Sequence, residues 1–380
     1  MSDIFKVYFL LFICLLLNGT VLGQHHLVSG NSSASAEIHR SLTTSNHQSK
    51  TDQAPANYLS TTNIQQKLLA KDQTLIEFFI EKERLCIFFF TTDRFEKAIV
   101  PLDFPLIKWV KNLKKELKKP AMESSVFYND LYELYEKIWQ PVEVFQPTNR
   151  ILIKANSVLK QFPFDALLTA PYRSEKVAPD FLVQKYALSY TTDLNTYHQK
   201  QVIDLSLPKG LLTINSDNKE NVLSVGGDVM SIENSTTQTW QTYRMIHCEI
   251  DPRKEIKKSI QTNLLLLNDQ SGLSFSNRNI KAAIGEFWQG NINARNEIQA
   301  LLYRHLFKDR CSDQALQYAK KNYLIWSNKV SQHPHYWASM QLSGVAVPIH
   351  ICGFRWDLLL WVGLVSMLFG GWWLLEKRII

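Results

Sequence analysis

No cysteine and histidine in this 380-residue chain have the spacing of a zinc site, so no metal is expected, and no motif asks for a cofactor. Cysteine itself is sparse. Cys14 lies in an amino-terminal apolar run, Cys86 and Cys248 lie in apolar strands where a cysteine mostly packs, and Cys311 and Cys352 complete the five with no pairing specified. Between Cys248 and Cys311 there is none. A composition 45% hydrophobic and 20% charged excludes a disordered protein and fits one sizeable domain with appendages. Strong charge of either sign is also missing. The formal excess of +7 is spread thinly, with one local concentration in IKWVKNLKKELKK, residues 107–119. Such a helix face can meet acidic lipid or nucleic acid, but it reads first as a solvated face, and no nucleic-acid partner is expected.

Long apolar runs occur only at the two ends. After Lys6 comes a run of about eleven apolar residues, then a polar break and Val21-Leu22-Gly23, the layout of a secretory signal peptide. Residues 358–375 form a second run just long enough to cross a hydrocarbon core of ~30 Å. Trp356, Trp372 and Trp373 lie near its ends, and the trailing Lys377 and Arg378 put the carboxyl terminus in the cytoplasm. The expected organisation is a signal peptide at 1–23, a flexible polar leader at 24–71, a domain at 72–344 and a linker at 345–356. A transmembrane helix at 357–375 and a cytoplasmic tail at 376–380 complete it. The chain would then be a single-pass protein of the cell membrane with its domain on the extracytoplasmic side.

Within the domain, TLIEFFI and RLCIFFF flank Glu81-Lys82-Glu83 and predict a hairpin. Helices are predicted over 106–118 and through SSVFYNDLYELYEKIW, where Phe127, Leu131, Leu134, Tyr135 and Ile138 recur at helical spacing. RILIKA, YALSY, GLLTIN, YRMIHC and NLLLLN then read as strands buried on both faces, with helices at NARNEIQALLYRHLF and SDQALQYAKKNYLIW. This alternation predicts an α/β fold with a mostly parallel sheet.

The order and wording of these segments resemble the CHAT domain family, caspase-like cysteine proteases. DLYELYEKIWQPVE is similar to that family's LY-x-x-L-x-x-P helix, and RILIKANSVLKQFPFDALLTA to its strand, turn and Leu-x-x-x-Pro-Phe-acid-Ala-Leu signature. YALSYTTDL resembles the strand that follows, GEFWQGNINARNEIQALLYRHLFKDRCSDQALQYAKKNYL the tryptophan strand, polar turn and final helix pair, and HPHYWASMQLSG the closing tryptophan strand. The resemblance spans about 72–344 and implies a caspase-like three-layer sandwich. Pro163, Phe164, Trp288, Tyr336 and Trp337 are its signature positions, and each is also a residue that any core would use. No tetratricopeptide repeats precede the domain.

The resemblance also exposes two losses. The family's catalytic His-Gly falls four residues beyond a first histidine, which His247 matches; Asp251 and Pro252 occupy the His-Gly place. A carboxylate, with a pKa of roughly 3.9, has no neutral tautomer to shuttle a proton near neutrality. The Ser-Ala-Cys strand is missing altogether, because KAAIGEFW leads straight to the tryptophan. Either the remaining strands re-pair or KAAIGEFW fills the gap; part of the second half of the fold is expected to be missing. Neighbouring His247 and Cys248 cannot form a dyad, since they point to opposite faces of a strand. No catalytic residues are therefore expected, and the chain reads as an inactive protease homologue that binds a protein partner or scaffolds a complex at the membrane. The alternative is an active cysteine peptidase with a relocated dyad, in which His247 activates Cys311. Arg310 and a helix start would favour a thiolate there, and His305, His333 and His335 are further candidate bases.

Overall fold

The computed structural model describes residues 60–120, 125–173, 178–203, 205, 207, 209–214, 228–230, 243–248, 260–268, 279–308 and 310–349. All belong to the second of two units of the chain, Gln53–Ile380. The expected signal peptide, membrane span and cytoplasmic tail, together with Asp251, Pro252 and Cys352, lie outside the described residues. Among the described residues no helix is long and apolar enough to cross a membrane.

The hairpin predicted around Lys82 is present. β1 (Gln73–Glu81) and β2 (Arg84–Phe90) pair antiparallel with Glu81 opposite Arg84, and the turn is closed by Lys82 at φ 51°. β3 (Phe95–Pro101) extends the hairpin as an edge strand that the sequence reading did not register. Upstream, Ile64 and Leu68 are already buried in a helical turn, Ile64–Leu68, so folded structure reaches back before residue 72.

Two helices follow as expected. α1 (Leu106–Leu117) buries Leu106, Val110, Leu113 and Leu117, one stripe at helical spacing, and turns Lys108, Lys111 and Lys115 outward. α2 (Ser125–Ile138) buries Phe127, Tyr128, Leu131, Leu134, Tyr135 and Ile138.

The remaining strands are β4 (Arg150–Ala155), β5 (Ala187–Thr191), β6 (Lys209–Ile214), β7 (Asp228–Met230), β8 (Tyr243–Cys248), β9 (Thr262–Leu267), β10 (Ile280–Glu286) and β11 (Met340–Gly344). They complete an eleven-stranded sheet in the order β3-β2-β1-β4-β5-β11-β10-β9-β8-β6-β7. β1, β4 and β5 are mutually parallel, as are β10, β9, β8, β6 and β7, while β11 runs antiparallel to β10. The KAAIGEFW segment supplies most of β10, which pairs with β9 on one side and β11 on the other. This answers the question left by the missing strand: β8, β9, β10 and β11 are joined by continuous ladders, with no unpaired gap.

The chain between the strands forms α3 (Leu194–Val202), α4 (Ile292–Leu306), α5 (Ser312–Trp326) and the short α6 (Pro334–Trp337). Trp337 therefore sits on a helical turn and not on the closing strand, which starts three residues later at Met340. His333 caps that turn by accepting from the His335 N–H, and Pro334 occupies its first position, where a missing amide proton costs nothing.

α4 begins just beyond the carboxyl end of β10 and runs back along the sheet, so the start of α5 lies at the other end. Contacts fix this orientation. Arg150, which also donates to the Ala346 carbonyl just past β11 at 3.5 Å, bonds Asp313 in the first turn of α5 at 2.8 Å. Gly344 closes β11 against the start of β10 with φ +102°, where a Cβ would come within 2.3 Å of the Lys281 carbonyl; only glycine fits. Val347 then accepts from the Ser312 N–H at 3.1 Å.

Candidate functional site

Alternation along β8 sends Met245 and His247 to the face covered by α4, whereas Ile246 and Cys248 join a separate apolar cluster with Leu212, Leu265 and Ile280. His247 and Cys248 are therefore on opposite faces, as the strand geometry requires.

His247 is fully buried near the carboxyl end of β8. Arg295, Gln299 and Tyr303 recur every four residues on α4, so one helix face meets the strand ends. The Tyr303 hydroxyl lies 2.5 Å from His247 Nδ1, and His247 Nε2 lies 3.2 Å from Asn268 Oδ1. Gln299 Nε2 donates to the same Asn268 oxygen at 2.6 Å. An amide oxygen only accepts, so the imidazole carries its proton on Nε2 and receives the Tyr303 proton at Nδ1. Arg295 Nη1 donates to the Asn268 carbonyl at 3.3 Å and pairs with buried Glu286 at 3.5 Å. Burial drives the His247 pKa down to about 4, the Asn268 bond opposes this, and the Arg295 charge adds to it.

This environment decides what His247 can do. It is neutral at pH 7, yet its one basic lone pair already accepts from Tyr303. Beside it on β6, Thr213 Oγ1 is buried with no partner among the described residues. Among the described residues no thiol joins this group of side chains.

Cys311 stands elsewhere, immediately before α5, bridged to Pro348 and near Arg150 and Asp313. The structure does not bring it to His247: the two ring nitrogens of His247 meet Tyr303 and Asn268, whereas Cys311 neighbours Pro348, Arg150 and Asp313. The expected thiolate is opposed as well. Burial pushes the Cys311 thiol up, against the lowering effect of Arg150 and with reinforcement from Asp313 and Asp72. Arg310, which was to activate it, is turned away: its guanidinium lies 3.8 Å from the Tyr318 ring centre and donates to His305 Nδ1 at 2.8 Å. His305 and His333 are both buried and held down to about 4, chiefly by burial. Burial also lowers His335, whose backbone carbonyl receives the Trp288 indole N–H at 3.2 Å. Among the described residues no three of His, Cys, Asp and Glu gather closely enough to hold a metal ion.

The signature positions are core. Phe164 is fully buried, stacked on Phe78 at 4.9 Å, and its N–H donates to the Tyr190 hydroxyl at 3.1 Å. Pro163 opens the 3-10 turn that presents it. Trp337 is fully buried, packs edge-on against Phe181 and donates its indole N–H to the Gln332 carbonyl at 2.9 Å. Trp288 is buried and Tyr336 is partly buried against the same core.

One polar feature escaped the sequence reading. Asp165, the acid of the FPFDALL segment, is buried and forms an ion pair with Lys320 of α5, while its other oxygen accepts from Gln341 at 2.8 Å. Burial pulls the Lys320 pKa down, and Asp165 works against that. The available signal was a lysine on the buried stripe Ala315, Leu316, Ala319, Tyr323 of α5.

No known protein-family profile matches the chain, and no curated protein matches it. Among solved structures it is similar to two crystal structures of the Saccharomyces cerevisiae separase–securin complex. The first has a TM-score of 0.48 at 8% identity and the second 0.45 at 8%. In each, the likeness covers 76% of this chain and 31% of the other, so the chain spans about a third of the length of those proteins.

Proposed function

We propose that this chain is a caspase-like domain without peptidase chemistry of its own, which works by binding a protein partner and is held at a membrane by residues 357–375. The carrying observation is the state of His247: buried, neutral, with both ring nitrogens engaged and, among the described residues, no thiol beside it. Thiol catalysis needs a nucleophile and a base within hydrogen-bond reach. Cys311 sits beside Pro348, Arg150 and Asp313, with its thiol pushed up by burial. The caspase-like assignment draws on the ordered signature segments and on the mixed, mostly parallel sheet that they build. Retention of that core without a dyad favours a role in recognition.

Incubation of the full-length protein with a complex peptide pool, read by mass spectrometry, tests the proposal. No cleavage is expected; new peptide termini that vanish in His247→Ala would refute it. Membrane attachment has its own test, since deleting 357–375 should release the protein from the membrane fraction.

A further inference from the structure

The outer face of α1 borders a groove of about 760 Å³, closed on its other side by the β1–β2 turn and the segment leading from β3 into α1. Its apolar lining comes from Leu102, Phe104, Pro105 and Ile107, and Ile107 is 46% exposed. Six lysines surround it: Lys82, Lys108, Lys111, Lys114, Lys115 and Lys118, against the single carboxylate of Glu83. Among the described residues, no salt bridge engages Lys108, Lys111 or Lys115; the helix's own Glu116 pairs with Lys119.

The arrangement of these charges selects the occupant. Lys108, Lys111, Lys115 and Lys118 succeed one another along α1 at intervals of three or four residues, which spaces them ~4.5–6 Å apart over ~15 Å. An amphiphile with one anionic head satisfies only one end of such a row. A polyphosphate or nucleic-acid strand satisfies the row but leaves the apolar lining unused. An extended peptide does both, because alternate side chains repeat every ~6.6 Å on one edge and face the opposite way between.

We infer that this groove binds an extended acidic segment of a partner protein, in which acidic residues alternating with apolar ones face the lysine row while the apolar ones enter the groove. Lys114 fits this picture. It donates to the Lys160 carbonyl at 2.7 Å, and burial together with the neighbouring Lys118 charge lowers its pKa to about 8, a strain that an incoming carboxylate relieves. The inference deepens the binding role proposed above and supplies its partner class.

Fluorescence anisotropy of the full-length chain with a labelled peptide of alternating glutamate and leucine tests it. A glutamate–serine peptide, oligo-dT and phosphatidylserine vesicles serve as parallel arms. Expected is binding at least about tenfold tighter for glutamate–leucine than for glutamate–serine, weakened by salt. Expected too is loss by about tenfold or more in Lys108→Glu/Lys111→Glu/Lys115→Glu, whose melting curve should match the parent because all three side chains are exposed. Equal binding of the two peptides, stronger binding of oligo-dT or vesicles, or an unaffected triple variant would overturn it. Mass spectrometry of the recovered peptide keeps the two readings apart: an intact but unbound peptide counts against the groove alone, and a cleaved peptide against catalytic silence alone.

Discussion

Replacing Lys320 with methionine removes one partner of a fully enclosed ion pair while keeping the length of the side chain. The Lys320 and Asp165 side chains are 2% and 3% exposed, so no water replaces the lost ammonium. Asp165 keeps its bond from Gln341 but loses the counter-charge that Lys320 supplies. Breaking a buried pair from one side costs about 3–5 kcal/mol, because a charge is left uncompensated in a poorly polarisable interior. The cation over Trp337, 5.8 Å from the ring centre, is lost at the same time. In Asp165→Leu/Lys320→Met no charge remains, and Gln341 still donates to the Ala338 carbonyl at 3.0 Å. That double variant should recover most of the loss and fall within about 2 kcal/mol of the parent. Urea unfolding followed by circular dichroism measures both. A Lys320→Met protein within about 1 kcal/mol of the parent, or a double variant as unstable as the sum of its singles, would refute the reasoning.

Acid should destabilise the fold through His247. Its folded pKa, about 4, lies below the ordinary 6.5, so the unfolded chain binds the extra proton first; stability is complete above pH 6.5 and is lost as pH falls toward 4. This one group contributes about 3 kcal/mol to that fall, and His247→Gln should flatten the profile of unfolding free energy against pH in that window. An unchanged slope would show that His247 does not titrate on unfolding. Phe164→Ala and Trp337→Ala should each cost about 3–5 kcal/mol, since both side chains are fully enclosed; unaltered melting curves for both would remove them from the core.

The parts of this fold that were legible in the sequence are those where burial writes a period. The α1 and α2 stripes and the β1–β2 hairpin could be read because each buried position recurs at the spacing of its element. β3 could not, because FEKAIVP lies at the sheet edge with none of its residues buried, so its pattern carries no continuous apolar signal. Trp337 was placed on a strand by the resemblance of HPHYWASMQLSG to a closing tryptophan strand, although His333-Pro334 is a helix-start pair. The candidate site was legible only in its single histidine. Arg295, Gln299 and Tyr303 look like ordinary polar positions of α4 until β8 and β9 are packed beneath them, and Asp165 and Lys320 meet across 155 residues. Contacts of that range leave no local periodicity to read.

Whether the domain is chemically silent can be read from the reactivity of its thiols. Full-length protein is treated with a substrate-like electrophilic peptide probe, and intact mass with site mapping reads the extent of labelling. A silent domain shows no rapid labelling at Cys311 and the same slow background in the parent and in His247→Ala, because burial raises that thiol and the His247 Nδ1 already meets Tyr303. Stoichiometric labelling of Cys311, abolished by His247→Ala while the circular dichroism spectrum is retained, would contradict the claim and make this chain an active cysteine peptidase.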